Sequence, residues 1–216
     1  MSGRLAFFFA LIFPQGALPC ETALLLAMDV SGSVDASEYH LQTAGLAAAL
    51  RDDALRDLML HRRVAVSVMQ WSGPGQQRVM IDWTAAESAA AIADLATKAA
   101  AMPRAFEGGG TAIGEALFAA AAQIARAPPC RYQVVDVSGD GHENAGSHLS
   151  LARQRLERSG VQINGLAIEQ IGRAVSGYYR ARVITRDGFV ETAAGHTDFA
   201  RAMRRKLLRE LTKPAT

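Results

Sequence analysis

The feature that most limits how this chain folds is the alternation of apolar, strand-like runs with helix-like segments. Residues 22–30 are apolar almost without interruption, which is typical of a strand buried on both faces. Further strands are predicted at residues 63–71, 78–83, 132–137, 161–168 and 189–192, with helices in most of the intervals between them. Such alternation indicates a mostly parallel sheet covered by helices on both faces.

Two of these strands are joined by a connection too short for a crossover helix. The sequence "SGPGQ" after residue 71 predicts a tight reversal, so the strands at 63–71 and 78–83 should pair antiparallel at a sheet edge. We therefore predict one Rossmann-like, doubly wound α/β domain with a six-stranded sheet and one antiparallel edge strand.

Capping patterns predict where two of the helices begin. Asp35 and Glu38 form a capping box at the start of the first helix. Thr84 and Glu87 form a similar box before an alanine-rich helix. Both boxes place a helix directly after a predicted strand.

The charge distribution argues against nucleic acid as a partner. The chain has 216 residues, a net charge of +2 and no long basic block, whereas phosphate binding needs clustered Lys and Arg. Near the C-terminus, apolar residues recur every four positions, so the basic residues between them should form the solvated face of an amphipathic helix. The basic residues are Arg201, Arg204, Arg205, Lys206 and Arg209, and the apolar ones are Phe199, Met203, Leu207 and Leu211.

The first 19 residues have the pattern of a secretory signal peptide. Arg4 supplies the positive start, residues 5–13 are apolar, and residues 14–17 are small or helix-breaking. An apolar run of about nine residues is too short to span a bilayer, which needs roughly twenty. We expect a periplasmic or secreted protein whose single domain covers residues 20–216 and has no transmembrane segment. The alternative is an N-terminal core strand.

Two cysteines, Cys20 and Cys130, each precede an aliphatic strand. If those strands are parallel neighbours, both sulfurs lie at the same end of the sheet, and an oxidising compartment would allow a disulfide. A bridge that closes a loop of about 110 residues contributes several kcal/mol. The alternative is a pair of separate buried thiols.

The first strand ends in a cluster of oxygen-bearing side chains, in the sequence "MDVSGSVD". Asp29, Ser31 and Ser33 are spaced two apart, so in an extended segment their oxygens point the same way. In doubly wound sheets, sites form beyond the carboxyl ends of the strands. Two more loops reach that edge, one with Thr111 after three glycines and one with Asp140 between two glycines.

Taken one at a time, these loops are weak evidence. Thr111 alone is a plausible helix N-cap, and an aspartate between glycines is common in turns. Together, two carboxylates and three hydroxyls form a shell of hard oxygen ligands. That chemistry suits Mg²⁺, with Mn²⁺ or Ca²⁺ possible, and excludes a thiolate or imidazole zinc site.

These three elements, in this order, resemble the von Willebrand factor type A domain and its metal-ion-dependent adhesion site (MIDAS). The resemblance covers about residues 22–211 and implies a Rossmann-like sheet. It also implies that Ser31, Ser33 and Thr111 contact the metal directly, whereas Asp29 and Asp140 act directly or through water.

More closely, four segments resemble a group of exported bacterial type A domain proteins known as DUF1194. They are "DVSGSVD", "WSGPGQQ", "DVSGDG" and "NGLAI". One departure from the wider family is Ser138-Gly139 before Asp140, where an aliphatic residue and Thr are usual.

Three functions are compatible with such a site. We favour a non-enzymatic adhesion or assembly module whose metal binds an Asp or Glu carboxylate of a protein partner. A metal-dependent hydrolase or phosphatase is the second, but no histidine is placed by motif to activate a nucleophile. The third is a structural metal that only ties loops together. His142 is the nearest candidate base, and we interpret it as a solvent-exposed loop residue.

Four residues are candidate partner contacts. His142 and Glu143 follow Asp140, and Tyr178 and Tyr179 lie in a long connection between the last two strands. Exposed Tyr is common at interfaces. The alternative is that the two tyrosines anchor their loop on the core.

Overall fold

The computed structural model describes residues 20–169 and 174–212. It contains six strands and seven α-helices over these residues. The strands are β1 (Cys20–Asp29), β2 (Val64–Trp71), β3 (Gln77–Ala85), β4 (Cys130–Gly139), β5 (Val161–Ile168) and β6 (Val190–Ala193). The helices are α1 (Ala36–Leu50), α2 (Asp53–His61), α3 (Ala89–Ala100), α4 (Ile113–Ile124), α5 (Leu149–Arg158), α6 (Ala174–Tyr178) and α7 (Phe199–Thr212). The predicted signal segment, residues 1–19, lies outside the described residues.

The strands form one sheet in the order β3-β2-β1-β4-β5-β6. All neighbours are parallel except β2 and β3, which pair antiparallel at one edge. The predicted fold class is therefore confirmed, including the antiparallel edge strand. From β1 the chain moves first to one side of the sheet and later to the other, so the crevice between β1 and β4 is the topological switch point where ligands bind in such folds.

The sheet separates two apolar cores. One core packs α1, α2, α3 and α7 against one face, and the other packs α4, α5 and the segment around α6 against the opposite face. Along β1, Leu24 and Leu26 point into the first core and Leu25 and Ala27 into the second. This two-sided burial explains the continuous apolar run.

The two cysteines stand opposite each other in the register of β1 and β4 and are joined by a disulfide. Their Cα atoms are 4.4 Å apart, and the bridge links positions 110 residues apart in the chain. The prediction of a Cys20–Cys130 bond is confirmed.

One predicted helix start is wrong. The Asp35–Glu38 capping box is present, but α3 is capped by Ser88, whose side chain accepts a hydrogen bond from the amide of Ala91. Thr84 instead belongs to β3, where it pairs with Val66. Sheet pairing keeps this segment extended, and the helix begins only after the strand ends.

Two of the α-helices, α2 and α6, were not predicted from the sequence. Helix α2 is short and is capped by Asp52. The long connection between β5 and β6 contains α6, followed by a π-helical turn at Tyr179–Val183. Within the described ranges, no helix has both the length and the apolar character needed to cross a membrane.

Lys206 does not lie on the solvated face of α7. It has no exposed surface, and its ammonium is 2.7 Å from Asp136 Oδ2 on β4 and 2.5 Å from Glu210 Oε1. The Phe189 ring lies 5.1 Å from the Lys206 nitrogen. Lys206 is buried because two carboxylates lie where the helix meets the sheet, and apolar periodicity carries no information about them.

Candidate functional site

The first loop of the site is held by its own aspartate. Asp29, the last residue of β1, accepts a hydrogen bond at Oδ1 from the amide of Ser31, at 2.8 Å. The amide of Gly32 donates to the carbonyl of Gly109, at 3.0 Å. A Cβ at position 32 would lie only 3.0 Å from that same carbonyl oxygen, so glycine allows the first loop to approach the second closely.

The predicted oxygens converge at the carboxyl edge of the sheet. Ser31 Oγ lies 3.2 Å from Ser33 Oγ and 3.5 Å from Thr111 Oγ1. Ser33 Oγ donates to Asp140 Oδ1 at 2.7 Å. All five predicted residues are therefore in one cluster, although Asp140 is 107 positions from Ser33 in the chain.

Thr111 is not the N-cap of α4, because Ala112 occupies that position without a side-chain cap. The loop after β4 holds Thr111 in place instead. The amide of Thr111 donates to Asn144 Oδ1 at 2.8 Å, and the carbonyl of Thr111 accepts from the amide of Asn144 at 3.0 Å. These two bonds leave the threonine hydroxyl on the side of Ser31.

The β2–β3 turn supports the glycine loop that carries Thr111. Ser72 is fully buried and donates from Oγ to the carbonyl of Gly108, at 2.8 Å. Its own carbonyl accepts from the amide of Ala112. The "WSGPGQQ" segment therefore contributes to the site through the second loop.

Arg104 was not identified from the sequence, where it is an isolated cation after a proline. Its guanidinium donates to the carbonyls of Val30 and Ser31, each at 3.0 Å. It thus ties the segment before the glycine loop to the first loop. No local pattern reveals this role, because the acceptors are backbone atoms 73 and 74 positions away.

The electrostatics of the cluster centre on Asp29, which has no exposed surface. Burial raises the pKa of Asp29 to about 7, and the charge of Asp140 adds to the rise. Hydrogen bonds from Ser31 and the positive charge of Arg104 act in the opposite direction. Two carboxylates so close together are stabilised in their charged form by a cation.

The donor set fits a hard divalent cation. Asp29 Oδ2 is buried and has no hydrogen-bond partner among the described residues, and its neighbours in the cluster are hydroxyl and carboxylate oxygens. Over residues 20–169 and 174–212, no group of three or more His, Cys, Asp or Glu side chains is arranged to hold a metal. A cation here would therefore depend on the serine and threonine hydroxyls.

The predicted partner contacts differ in their surroundings. His142 is exposed, stacks on Tyr178 with ring centroids 4.4 Å apart, and has Nε2 3.2 Å from the carbonyl of Ala174. Glu143 accepts from the amide of Gly114 at the start of α4, at 3.1 Å, and burial raises its pKa. Glu143 thus takes over the capping role that Ala112 lacks.

Tyr179 has no exposed surface, so of the two tyrosines only Tyr178 is accessible to a partner. The alternative that the pair anchors the loop on the core is correct for Tyr179. Its hydroxyl lies beside Gly139, because a Cβ at position 139 would be 2.6 Å from it. Glycine stands at position 139 because a larger side chain there would clash with the Tyr179 hydroxyl.

The fold is similar to that of von Willebrand factor type A domains among solved structures. The family described as "Protein of unknown function (DUF1194)" matches residues 19–215, and the chain belongs to this family. A comparison with curated proteins finds no match.

Solved structures share the fold at low sequence identity. A von Willebrand factor type A protein from Catenulispora acidiphila has a TM-score of 0.62 and 17% identity over 88% of this chain and 43% of its own. The pilus adhesin SpaC from Lactobacillus rhamnosus GG has a TM-score of 0.65 and 16% identity over 93% and 31%, respectively. Proximal thread matrix protein 1 from the mussel byssus, with a zinc-occupied MIDAS motif, has a TM-score of 0.60 and 16% identity over 90% and 47%. The chain thus spans less than half of each of these three proteins.

Proposed function

We propose that Asp29, Ser31, Ser33, Thr111 and Asp140 hold a divalent cation and that the domain is an exported adhesion or assembly module. The observation that carries the proposal is the convergence of three loops on one oxygen cluster, with Ser31 Oγ 3.5 Å from Thr111 Oγ1 and Ser33 Oγ 2.7 Å from Asp140 Oδ1. Mg²⁺ is the expected ion, with Mn²⁺ or Ca²⁺ as alternatives, because all the donors are oxygen atoms. The periplasm or the exterior of a bacterium is the expected location, in keeping with the disulfide.

The protein's own residues determine how a partner would bind. A bound cation would supply a Lewis-acidic position for an Asp or Glu carboxylate of a protein partner. Ser33 is exposed, whereas Asp29, Ser31 and Thr111 are buried, so the cluster opens to solvent on the side of Ser33. The exposed ring of His142, stacked on Tyr178, lies on the loop that follows Asp140 and would contact the partner around the carboxylate.

The supporting evidence from other proteins concerns the fold and the kind of site. One structural neighbour is a pilus adhesin, and another has a MIDAS motif occupied by zinc. A hydrolase has less support, because the nearest histidine, His142, is engaged with Tyr178 and the Ala174 carbonyl and not with a serine of the cluster.

The first experiment is isothermal titration of the EDTA-treated, dialysed protein with MgCl₂, MnCl₂, CaCl₂ and ZnCl₂. Asp29→Asn should abolish or strongly weaken binding, because it removes one of the two carboxylates. Asp94→Ala is the matched control, since Asp94 is exposed on α3 and pairs only with Lys98 among the described residues. If the wild type binds none of the four ions, the proposed site does not exist.

The second experiment tests the partner. Immobilised wild-type protein and Asp29→Asn are exposed to exported proteins with Mg²⁺ or with EDTA. Capture should require both Mg²⁺ and Asp29, and changing the critical Asp or Glu of the captured protein to its amide should abolish it. Capture in EDTA would reject the adhesion mechanism, and a cation that only raises the unfolding temperature would indicate a structural metal.

A further inference from the structure

Two buried oxygen atoms behind the proposed metal cluster lack partners. Asp29 Oδ2 and the hydroxyl of Tyr179 have no hydrogen bond within the described part of the chain. Both side chains are fully buried. An unsatisfied buried oxygen costs about 1–3 kcal/mol, so two adjacent ones call for an explanation.

Gly139 brings the two atoms to the same place. A Cβ built at position 139 would lie 2.6 Å from the Tyr179 hydroxyl and 2.8 Å from Asp29 Oδ2. Both oxygens therefore flank one point next to the end of β4. Since each oxygen lies within 2.8 Å of that point, the two are at most about 5.4 Å apart, a separation that one bridging water spans.

The fold fixes the position of Tyr179. Helix α6 is anchored by Glu169, whose carboxylate accepts hydrogen bonds from the amides of Val175 and Ser176. The π-helical turn that follows places Tyr179 and Val183 in the second apolar core. Short π-helical segments are frequent at functional sites, and here the turn directs a phenol toward the switch point of the sheet.

The neighbouring tyrosine provides an internal contrast. Tyr178 is only partly buried and stacks on His142. The phenol hydroxyl of Tyr179 carries one hydrogen that it can donate. Asp29 Oδ2 is an oxygen atom that can accept it.

We propose that Tyr179 is a positioning residue of the metal site, whose hydroxyl donates a hydrogen bond to Asp29 Oδ2 directly or through one water. This inference rests on the proposed metal-binding function. The bond would fix the orientation of the Asp29 carboxylate before a cation arrives. Groups that orient a metal ligand typically change metal affinity by 10- to 100-fold when they are removed.

The test is isothermal titration with MgCl₂ and MnCl₂ of the wild type, Tyr179→Phe and the control Tyr178→Phe. Tyr179→Phe should weaken binding of both ions by about tenfold, and Tyr178→Phe should leave it unchanged. The metal-free unfolding temperature of Tyr179→Phe should fall by no more than about 2–4 °C, because the ring is retained and only one hydrogen bond is lost.

The outcomes separate this inference from the proposed function. If the wild type binds a cation and Tyr179→Phe binds it equally well, only the role of Tyr179 is overturned. The same conclusion follows if Tyr179→Phe lowers the metal-free unfolding temperature by much more than the loss of one hydrogen bond allows, since the hydroxyl would then support packing. If the wild type binds neither cation, the metal site itself is rejected.

Discussion

Replacing Lys206 by Met removes the one positive charge that, over residues 20–169 and 174–212, forms an ion pair with the buried carboxylates of Asp136 and Glu210. The methionine keeps most of the apolar stem, so the loss is chiefly that of the ammonium. Asp136 and Glu210 have side chains that are 1% exposed, and each has an oxygen within 2.7 Å of the lysine nitrogen. Breaking a buried pair by removing one partner costs about 3–5 kcal/mol, because the remaining charge is uncompensated.

The expected effect is large relative to total stability. With a urea slope of about 2 kcal/mol per M, a loss of about 4 kcal/mol lowers the unfolding midpoint by roughly 2 M. Arg205→Met is the matched control on the same helix, because Arg205 is 70% exposed and contacts Glu191 only at 3.4 Å. That variant should lose less than about 1 kcal/mol.

The effect of Lys206→Met should depend on pH. Burial raises the pKa of Asp136, and the positive charge of Lys206 opposes that rise. In Lys206→Met, the pKa of Asp136 should therefore be still higher. A carboxyl group whose pKa is higher in the folded state than in the unfolded state destabilises the fold as pH rises, since unfolding then releases a proton. The loss of stability in Lys206→Met relative to the wild type should therefore be larger at pH 8 than at pH 5.

The assay is urea unfolding followed by circular dichroism at both pH values. Asp136→Leu/Lys206→Met should recover part of the stability lost in Lys206→Met, because an uncompensated charge is replaced by an apolar group. Equal midpoints for Lys206→Met and Arg205→Met at pH 8 would refute the assignment of a buried ion pair that anchors α7.

Two further predictions concern the disulfide and the start of α3. Cys20→Ser/Cys130→Ser should lower the free energy of unfolding by about 2–5 kcal/mol, because the bridge closes a loop of 110 residues. The measurement is denaturation without reductant. The wild type in dithiothreitol should be as stable as the variant, and a wild type whose stability does not change in dithiothreitol would contradict this prediction. Ser88→Ala should cost about 1 kcal/mol in thermal or urea unfolding, because it removes the cap of α3. Glu87→Ala should cost less than Ser88→Ala, and the reverse order would favour the capping box predicted from the sequence.

Much of the fold could be predicted because it depends on local patterns. The apolar runs are continuous because β1, β2 and β4 are buried on both faces. The short turn after Trp71 allows only an antiparallel return, which identifies the edge strand. The five oxygen-bearing residues could be grouped because parallel strands end at the same edge of a sheet, and in the structure Ser33 and Asp140 are hydrogen-bonded there.

The supporting residues of the site could not be predicted in this way. Arg104 binds backbone carbonyls of the first loop, and Glu143 caps a helix other than its own. Tyr179 reaches Gly139 only because a π-helical turn directs it inward. Each role depends on a partner more than 25 positions away, and neither composition nor spacing identifies that partner.

The sequence by itself determined the six strands and their order along the chain, the edge strand, the cysteine pair and the set of oxygen-bearing loops. It did so because periodicity, turn residues and strand direction act over a few neighbouring positions. Only the tertiary structure decided that Lys206 is inside, that Ser88 and not Thr84 caps α3, and that Tyr179 lies behind Asp29. Whether a charge or a hydroxyl is buried depends on the groups packed against it across the sheet, which the local pattern does not contain.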